Sequence, residues 1–204
     1  LINYDGRYFT NILHGINPMA QGWLEGYSFT IIFGVLLSVF SFYFFITSFV
    51  TNFSKLKLFI FSSLFMLIGF ALSASIVHLV YWMVSSFVYL YSWSFWLLWM
   101  GSFFRSIRSN VEKVKVAYAS LSMVLLICAI GMNEMFLFLN LISVFIIVLY
   151  VRVYKKVKVD KVYYLPLLIT ALVAAAFFVS NPGIKRRLLT QTSNYQEFSL
   201  GAVI

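Results

Sequence analysis

No Asp, Glu, Lys or Arg occurs between residues 58 and 104, and residues 27–50 are equally free of charge. A membrane-crossing helix needs ~20 mostly apolar residues, rising 1.5 Å each, to cover ~30 Å of hydrocarbon. The stretch 58–104 is therefore long enough for two crossings and reads as a hairpin. Its turn is expected at 75–82, where His78, Tyr81 and Trp82 interrupt the aliphatic pattern. The stretch 116–151 is also too long for one crossing and holds Asn133 and Glu134 at its middle. A carboxylate at the centre of a lipid-embedded helix costs ~3 kcal/mol, whereas at a hairpin tip it reaches water. Two short spans should thus meet at Gly131-Met132-Asn133-Glu134.

Together these stretches predict an all-α, polytopic transmembrane helical bundle forming one domain over residues 1–204. About six spans are expected, at 27–50, 58–74, 83–104, 116–132, 135–151 and 162–180, the last with Pro166 near its start and ended by Asn181-Pro182-Gly183. Composition agrees: 62% of residues are hydrophobic, 10% are charged and the mean hydropathy is +0.94, against roughly 45–50% apolar and about 25% charged in soluble domains. That excludes a water-soluble fold. Twenty-three Phe, thirteen Tyr and five Trp suit lipid-facing helices with aromatic belts. Between Arg7 and Trp23 the pattern is not that of a span. Tyr8, Phe9, Ile12, Leu13 and Ile16 can share one face, with Arg7, Asn11 and His14 elsewhere, which predicts a short N-terminal interfacial helix ended by Gly15 and Pro18.

The net charge of +9 would suit nucleic acid, but the cations sit in short runs between apolar stretches, so no nucleic-acid partner is expected. Loops 51–57, 105–115 and 152–161 hold eleven of the fifteen Lys and Arg. Six alternating spans put all three on one side, which the positive-inside rule makes the cytoplasm. The other side receives 1–26, 75–82, 133–134 and 181–204, with Asp5, Glu25, Glu134 and Glu197, four of the six acids. The sequence begins at Leu1 and closes on an apolar Gly201–Ile204, so a piece of a longer polytopic protein is expected, with spans beyond each end.

Polar clusters collect on that acidic side. Asp5 beside Arg7, with Asn11, offers a base or a ligand for a divalent cation that holds phosphate. The bland alternative is an ordinary loop pair. Glu134 either faces water at its tip or projects into a cavity opposite Asp5. Asn181-Pro182-Gly183 precedes Lys185, Arg186 and Arg187, the one basic cluster that breaks the charge asymmetry. Arg forks and exposed turn N–H groups suit phosphate oxygens, although snorkelling anchors would look alike. His78 with Tyr81 and Trp82 reads mainly as an interface anchor. Cys128 stands alone and only His14 joins His78, so no metal centre is expected. Phosphate-binding loops, dinucleotide motifs and hydrolase elbows are lacking.

Four segments in order, Asp5-Gly6-Arg7-Tyr8 with Asn11, Tyr81-Trp82-Met83-Val84-Ser85-Ser86 with Tyr89, Gly131-Met132-Asn133-Glu134, and Asn181-Pro182-Gly183 before Arg186 and Arg187, resemble a family of multi-span, GT-C-like bacterial membrane glycosyltransferases of glucosyltransferase type. Ser85-Ser86 stands where that family shows a Thr-Gly-like pair, and Ile184 where it shows Asn. Its acidic pair, expected before the first motif, is not in this sequence. The resemblance implies a transferase in the bacterial cytoplasmic membrane. It would move a sugar from a polyprenyl-phosphate donor to an envelope or surface glycan on the non-cytoplasmic face. Catalysis would fall to Asp5 or Glu134. Arg7, Asn11, Tyr81, Trp82, Asn133, Asn181, Gly183, Lys185, Arg186 and Arg187 would bind substrate or phosphate. No cofactor is required; a divalent cation is optional. The competing readings are a non-enzymatic transporter of an anionic lipid-linked substrate and a structural subunit partnered in a membrane complex.

Overall fold

The computed structural model describes residues 8–23, 25–50, 52–73, 75, 80, 86–133 and 135–149, with 168, 172 and 176 beyond them. All regular structure among the described residues is helical. Helix α1 (Tyr8–Ile16) leads through a 3-10 turn (Pro18–Gln21) into α2 (Gly26–Phe49). Then come α3 (Lys55–Leu72), a π-helical turn (Phe87–Tyr91) that continues without a break into α4 (Ser92–Arg108), α5 (Glu112–Met132) and α6 (Met135–Leu149). Helices α2, α3 and α5 are long and apolar enough to cross a membrane.

The inward face of α2 is mostly small and polar, and its outward face large and apolar. On α2 the buried positions include Gly26, Thr30, Gly34, Ser38, Ser41 and Ser48, the first four at a spacing of four residues and hence on one helix face. The opposite face carries exposed Phe29, Ile32, Phe33, Leu36 and Phe40. Exposed apolar surface of this extent needs a lipid solvent, and small residues at the contacts let backbones approach where lipid removes the hydrophobic drive to associate. A buried hydroxyl is costly unless it finds an acceptor inside. Ser38 donates to the Gly34 carbonyl at 2.8 Å, Ser62 to Leu58 at 2.8 Å and Ser94 to Leu90 at 2.8 Å, so serine is tolerated by bonding back one turn.

Helix α4 is the centre of the bundle. It runs parallel to α2, whose Gly34 sits under the Tyr91 ring; its Gly101 sits under Phe44 of α2. Ser48 of α2 donates to the Gly101 carbonyl at 3.1 Å. On its other side α4 lies antiparallel to α5 across a core of Trp99, Phe103, Leu125, Leu126 and Ile130. Helix α3 covers α2 through stacked Phe42 and Phe65 rings, 4.5 Å apart and 3° from coplanar.

At one end Arg105 donates to Thr47 Oγ1 at 2.7 Å and to the Phe44 carbonyl at 3.3 Å, with its guanidinium 3.6 Å from the Phe44 ring centre. Arg108 donates to the Ser48 carbonyl at 2.8 Å. The last carbonyls of a helix have no partner within it; Arg108 caps one of them at Ser48, and Arg105 binds one turn further back, so both cations sit at the C-terminal end of α2, where they are favoured. The basic segments 55–57 and 105–115 consequently share this end. Helix α1 and Asn133 occupy the opposite one.

Candidate functional site

At that opposite end three separated segments meet on Asn133. The residue is 5% exposed. Its Nδ2 donates to the Val88 carbonyl at 3.3 Å, and its Oδ1 accepts from the Met135 N–H at 3.0 Å. The second contact satisfies a donor at the start of α6, the role an Asn plays ahead of a helix. The first contact meets the π turn. Changing register from α to π leaves carbonyls without their usual donors, and the Val88 carbonyl takes Asn133 Nδ2 and the hydroxyl of Ser92. Thr10 of α1 donates to the Met132 carbonyl at 3.2 Å. Residues 10, 88 and 132–133 are thus held together by side-chain bonds to backbone.

Apolar contacts seat α1 on the same place. Phe9 and Leu13 pack on Phe87, Tyr91 and Met132; Phe9 also meets Phe95 edge-on at 5.8 Å. The His14 ring meets Phe87 edge-on at 5.0 Å, and burial holds its pKa below the ordinary imidazole value. The packed side of α1 therefore includes Thr10 and His14, whereas Ile12 and Ile16 are exposed. Sequence reasoning divided these faces differently, because periodicity cannot tell an apolar side chain facing lipid from one facing protein. The connection back to α2 is also fixed. Asn17, 3% exposed, donates to Thr30 Oγ1 at 3.4 Å, and Gln21 donates to the Gly15 carbonyl at 2.9 Å. Gly22 turns the chain at φ 86°, a conformation that side chains disfavour. Tyr91 closes the assembly, its hydroxyl donating to the Thr30 carbonyl at 2.7 Å.

Of the predicted site residues, Asn11 lies half-buried on α1 beside Thr10, and Asn133 is the hub just described. Asp5, Arg7, Tyr81, Trp82, Glu134, Asn181, Gly183, Lys185, Arg186 and Arg187 lie outside the described residues, as do the turn at 76–79 with His78 and most of the span 162–180. The described neighbours of the first three motifs, Thr10, Val88 and Asn133, do come together. Sequence reasoning missed Thr10, Thr30 and Tyr91, which act through backbone carbonyls and carry no motif. Asn133 was readable as a helix-start residue from its place before an apolar run. Among the described residues no group of three or more His, Cys, Asp or Glu is placed to hold a metal ion.

Fold and contacts define a membrane-type helical bundle with a polar cap at the end opposite its basic loops. Comparison with protein-family profiles, with curated proteins and with solved structures yields no match.

Proposed function

We propose that this chain is a membrane glycosyltransferase that moves a sugar from a polyprenyl-phosphate donor to an envelope glycan on the non-cytoplasmic face. The observation that carries the reading is the convergence on Asn133. Segments separated by 45 and by 122 residues are bonded together there, at the end of the bundle away from the basic loops. In sequence Asp5 and Arg7 precede α1 by a few residues and Glu134 directly follows the hub, which supports a site drawn from all three. In this reading the chain crosses six times, with α4, α6 and 162–180 completing the set. Helix α1 lies at the outer interface, and the basic loops face the cytoplasm of a bacterial cell.

The chemistry needs a base and a phosphate clamp. A carboxylate, Asp5 or Glu134, takes the proton from the acceptor hydroxyl as its oxygen bonds to the anomeric carbon. The bond from that carbon to the phosphate oxygen breaks, and polyprenyl phosphate leaves with the electron pair. Lys185, Arg186 and Arg187 stabilise the charge that develops on it. Phosphate neutralisation of this kind is electrostatic, so a divalent cation is optional.

The test is glycan analysis by mass spectrometry in cells carrying Asp5→Asn, Glu134→Gln or Arg186→Ala at normal protein levels. Loss of one hexose from an envelope glycan in the Glu134→Gln strain is the expected result. Unchanged glycans in all three strains, with the protein assembled in the membrane, would leave a structural or transport role. Cysteines at positions 156 and 193 should label from opposite sides; labelling from one side refutes the six-span topology.

A further inference from the structure

The seam where α4, α5 and α6 meet holds buried polar atoms that the fold does not use. Trp96 Nε1, Trp99 Nε1, Ser102 Oγ and both amide atoms of Asn140 find no hydrogen-bond partner among the described residues. Trp99 and Ser102 are 0% exposed and Asn140 is 1% exposed. This contrasts with buried serines such as Ser38, Ser62, Ser94 and Ser106, whose hydroxyls donate to backbone carbonyls. Trp96, Trp99 and Ser102 follow one another at three-residue steps, descending one flank of α4. Asn140 lies one turn beyond Phe136 on α6, and the Phe136 ring packs 6.2 Å from Trp96 and 6.4 Å from Trp93. Phe136 and Asn140, four residues apart, share one face of α6, the face on which Phe136 meets Trp93 and Trp96. Trp93, the outermost of the three tryptophans, is 39% exposed and packs on Trp96 at 5.0 Å with the rings tilted by 33°, so the row begins near the capped end.

An orphaned amide in the interior is costly, and in lipid there is no solvent to relieve it. Intramembrane polar groups of this kind mark binding sites and pathways. The chemistry of these atoms narrows the ligand. Indole N–H groups only donate, an amide offers two donors and one acceptor, and a hydroxyl offers one donor with its lone pairs. Donors therefore prevail, and the ligand must be rich in acceptors. The stretches 92–104, 116–132 and 135–149 contain no charged residue, so an anion would lie there without a counter-charge, at a prohibitive cost. Aromatic faces beside a few convergent polar groups are the usual make-up of a small-molecule site.

We infer that the α4–α5–α6 seam binds an uncharged, polyhydroxylated ring, an unmodified sugar unit being the simplest member of that class, with Asn140 and the indole N–H groups of Trp96 and Trp99 as its polar contacts. The inference rests on the seam alone and holds whether or not the chain transfers the sugar.

The experiment uses the whole chain, labelled with 5-fluorotryptophan and reconstituted in phosphatidylcholine nanodiscs, with fluorine NMR resonances assigned by single Trp→Phe variants. Titration with methyl β-glucoside should shift the Trp96 and Trp99 resonances saturably and leave Trp23 unmoved. Glucuronate, the same ring with a charge, should shift neither. Asn140→Leu should weaken the response at least tenfold, yet melt at or above the wild-type temperature, because it removes an unpaired amide; that separates lost binding from misfolding. Phe138→Leu, on the exposed side of α6, should bind normally. Absence of a saturable shift with the glycoside, an equal response to glucuronate, or undiminished binding by Asn140→Leu would each overturn the inference. A sugar-binding protein with unaltered envelope glycans would leave this inference standing and end the transferase reading.

Discussion

Gly101→Ala tests how the two central helices are set against each other. A Cβ at Gly101 would lie 2.7 Å from Phe44 Cδ1, 3.0 Å from Phe44 Cε1 and 3.2 Å from Phe45 Cα. Carbon atoms pack best at about 3.5–4.0 Å, so the first contact is short by roughly 1 Å. The Phe44 ring cannot simply swing away, because the Arg105 guanidinium covers it at 3.6 Å, and Phe45 Cα is backbone. The helices must therefore part, which strains the Ser48 bond to the Gly101 carbonyl. Overpacking costs about 1–3 kcal/mol, and a weakened hydrogen bond adds about 0.5–1.5 kcal/mol. Alanine's better helix propensity returns about 1 kcal/mol. The expected net loss is about 1–3 kcal/mol. Gly69→Ala is the internal control: that glycine is also helical, but a Cβ there meets nothing within 4 Å, so the same substitution should stabilise by up to about 1 kcal/mol. Thermal unfolding of both variants in one nanodisc preparation, followed by circular dichroism, gives the comparison. A Gly101→Ala protein at least as stable as wild type would refute the claim that this glycine sets the distance between α2 and α4.

Arg105→Lys keeps the positive charge but loses the planar fork that reaches Thr47 and Phe44; it should cost about 1–2 kcal/mol by chemical denaturation, with sidedness in cysteine labelling unchanged. Asn133→Leu removes the acceptor of the Met135 N–H and one of the two donors to the Val88 carbonyl, which keeps the Ser92 hydroxyl. A loss of about 2–4 kcal/mol is expected, with faster hydrogen exchange at 86–92, and slow exchange there would show that the π turn does not depend on Asn133. The His14 pKa is lowered by burial against its neighbours, which fixes the sign of a pH effect on α1. Above an ordinary imidazole value of about 6.5 the ring is neutral in docked and undocked forms alike, and docking is at full strength. As pH falls below that value the undocked form takes up a proton first, so docking weakens until the lower, docked pKa is passed. Protease cleavage within 8–23 should accelerate between pH 7 and pH 5, and His14→Phe should remove the dependence.

Charge-free length was decisive at the level of the sequence. A stretch such as 27–50 reads as a membrane-crossing helix, because in lipid only a helix satisfies every backbone group within one segment, and Gly26–Phe49 is a helix of that length. The break at Asn133 was also legible, since a polar pair between two apolar runs has one economical place. Arg105 and Arg108 were read as signals of sidedness, and the structure gives them a second task. They close the C-terminus of α2, a contact between residues about sixty positions apart that no local pattern encodes. The same holds for Thr10 on Met132, Tyr91 on Thr30 and the π turn under Asn133. Hydropathy and charge are properties of single positions and their periods, so they determine that the chain forms helices long and apolar enough to cross a membrane and that two of its helices part at Asn133. Which small residues face which aromatic ring, and that the buried amide of Asn140 finds no partner among the described residues, depends on how helices distant in sequence are packed, and that only the tertiary structure decides.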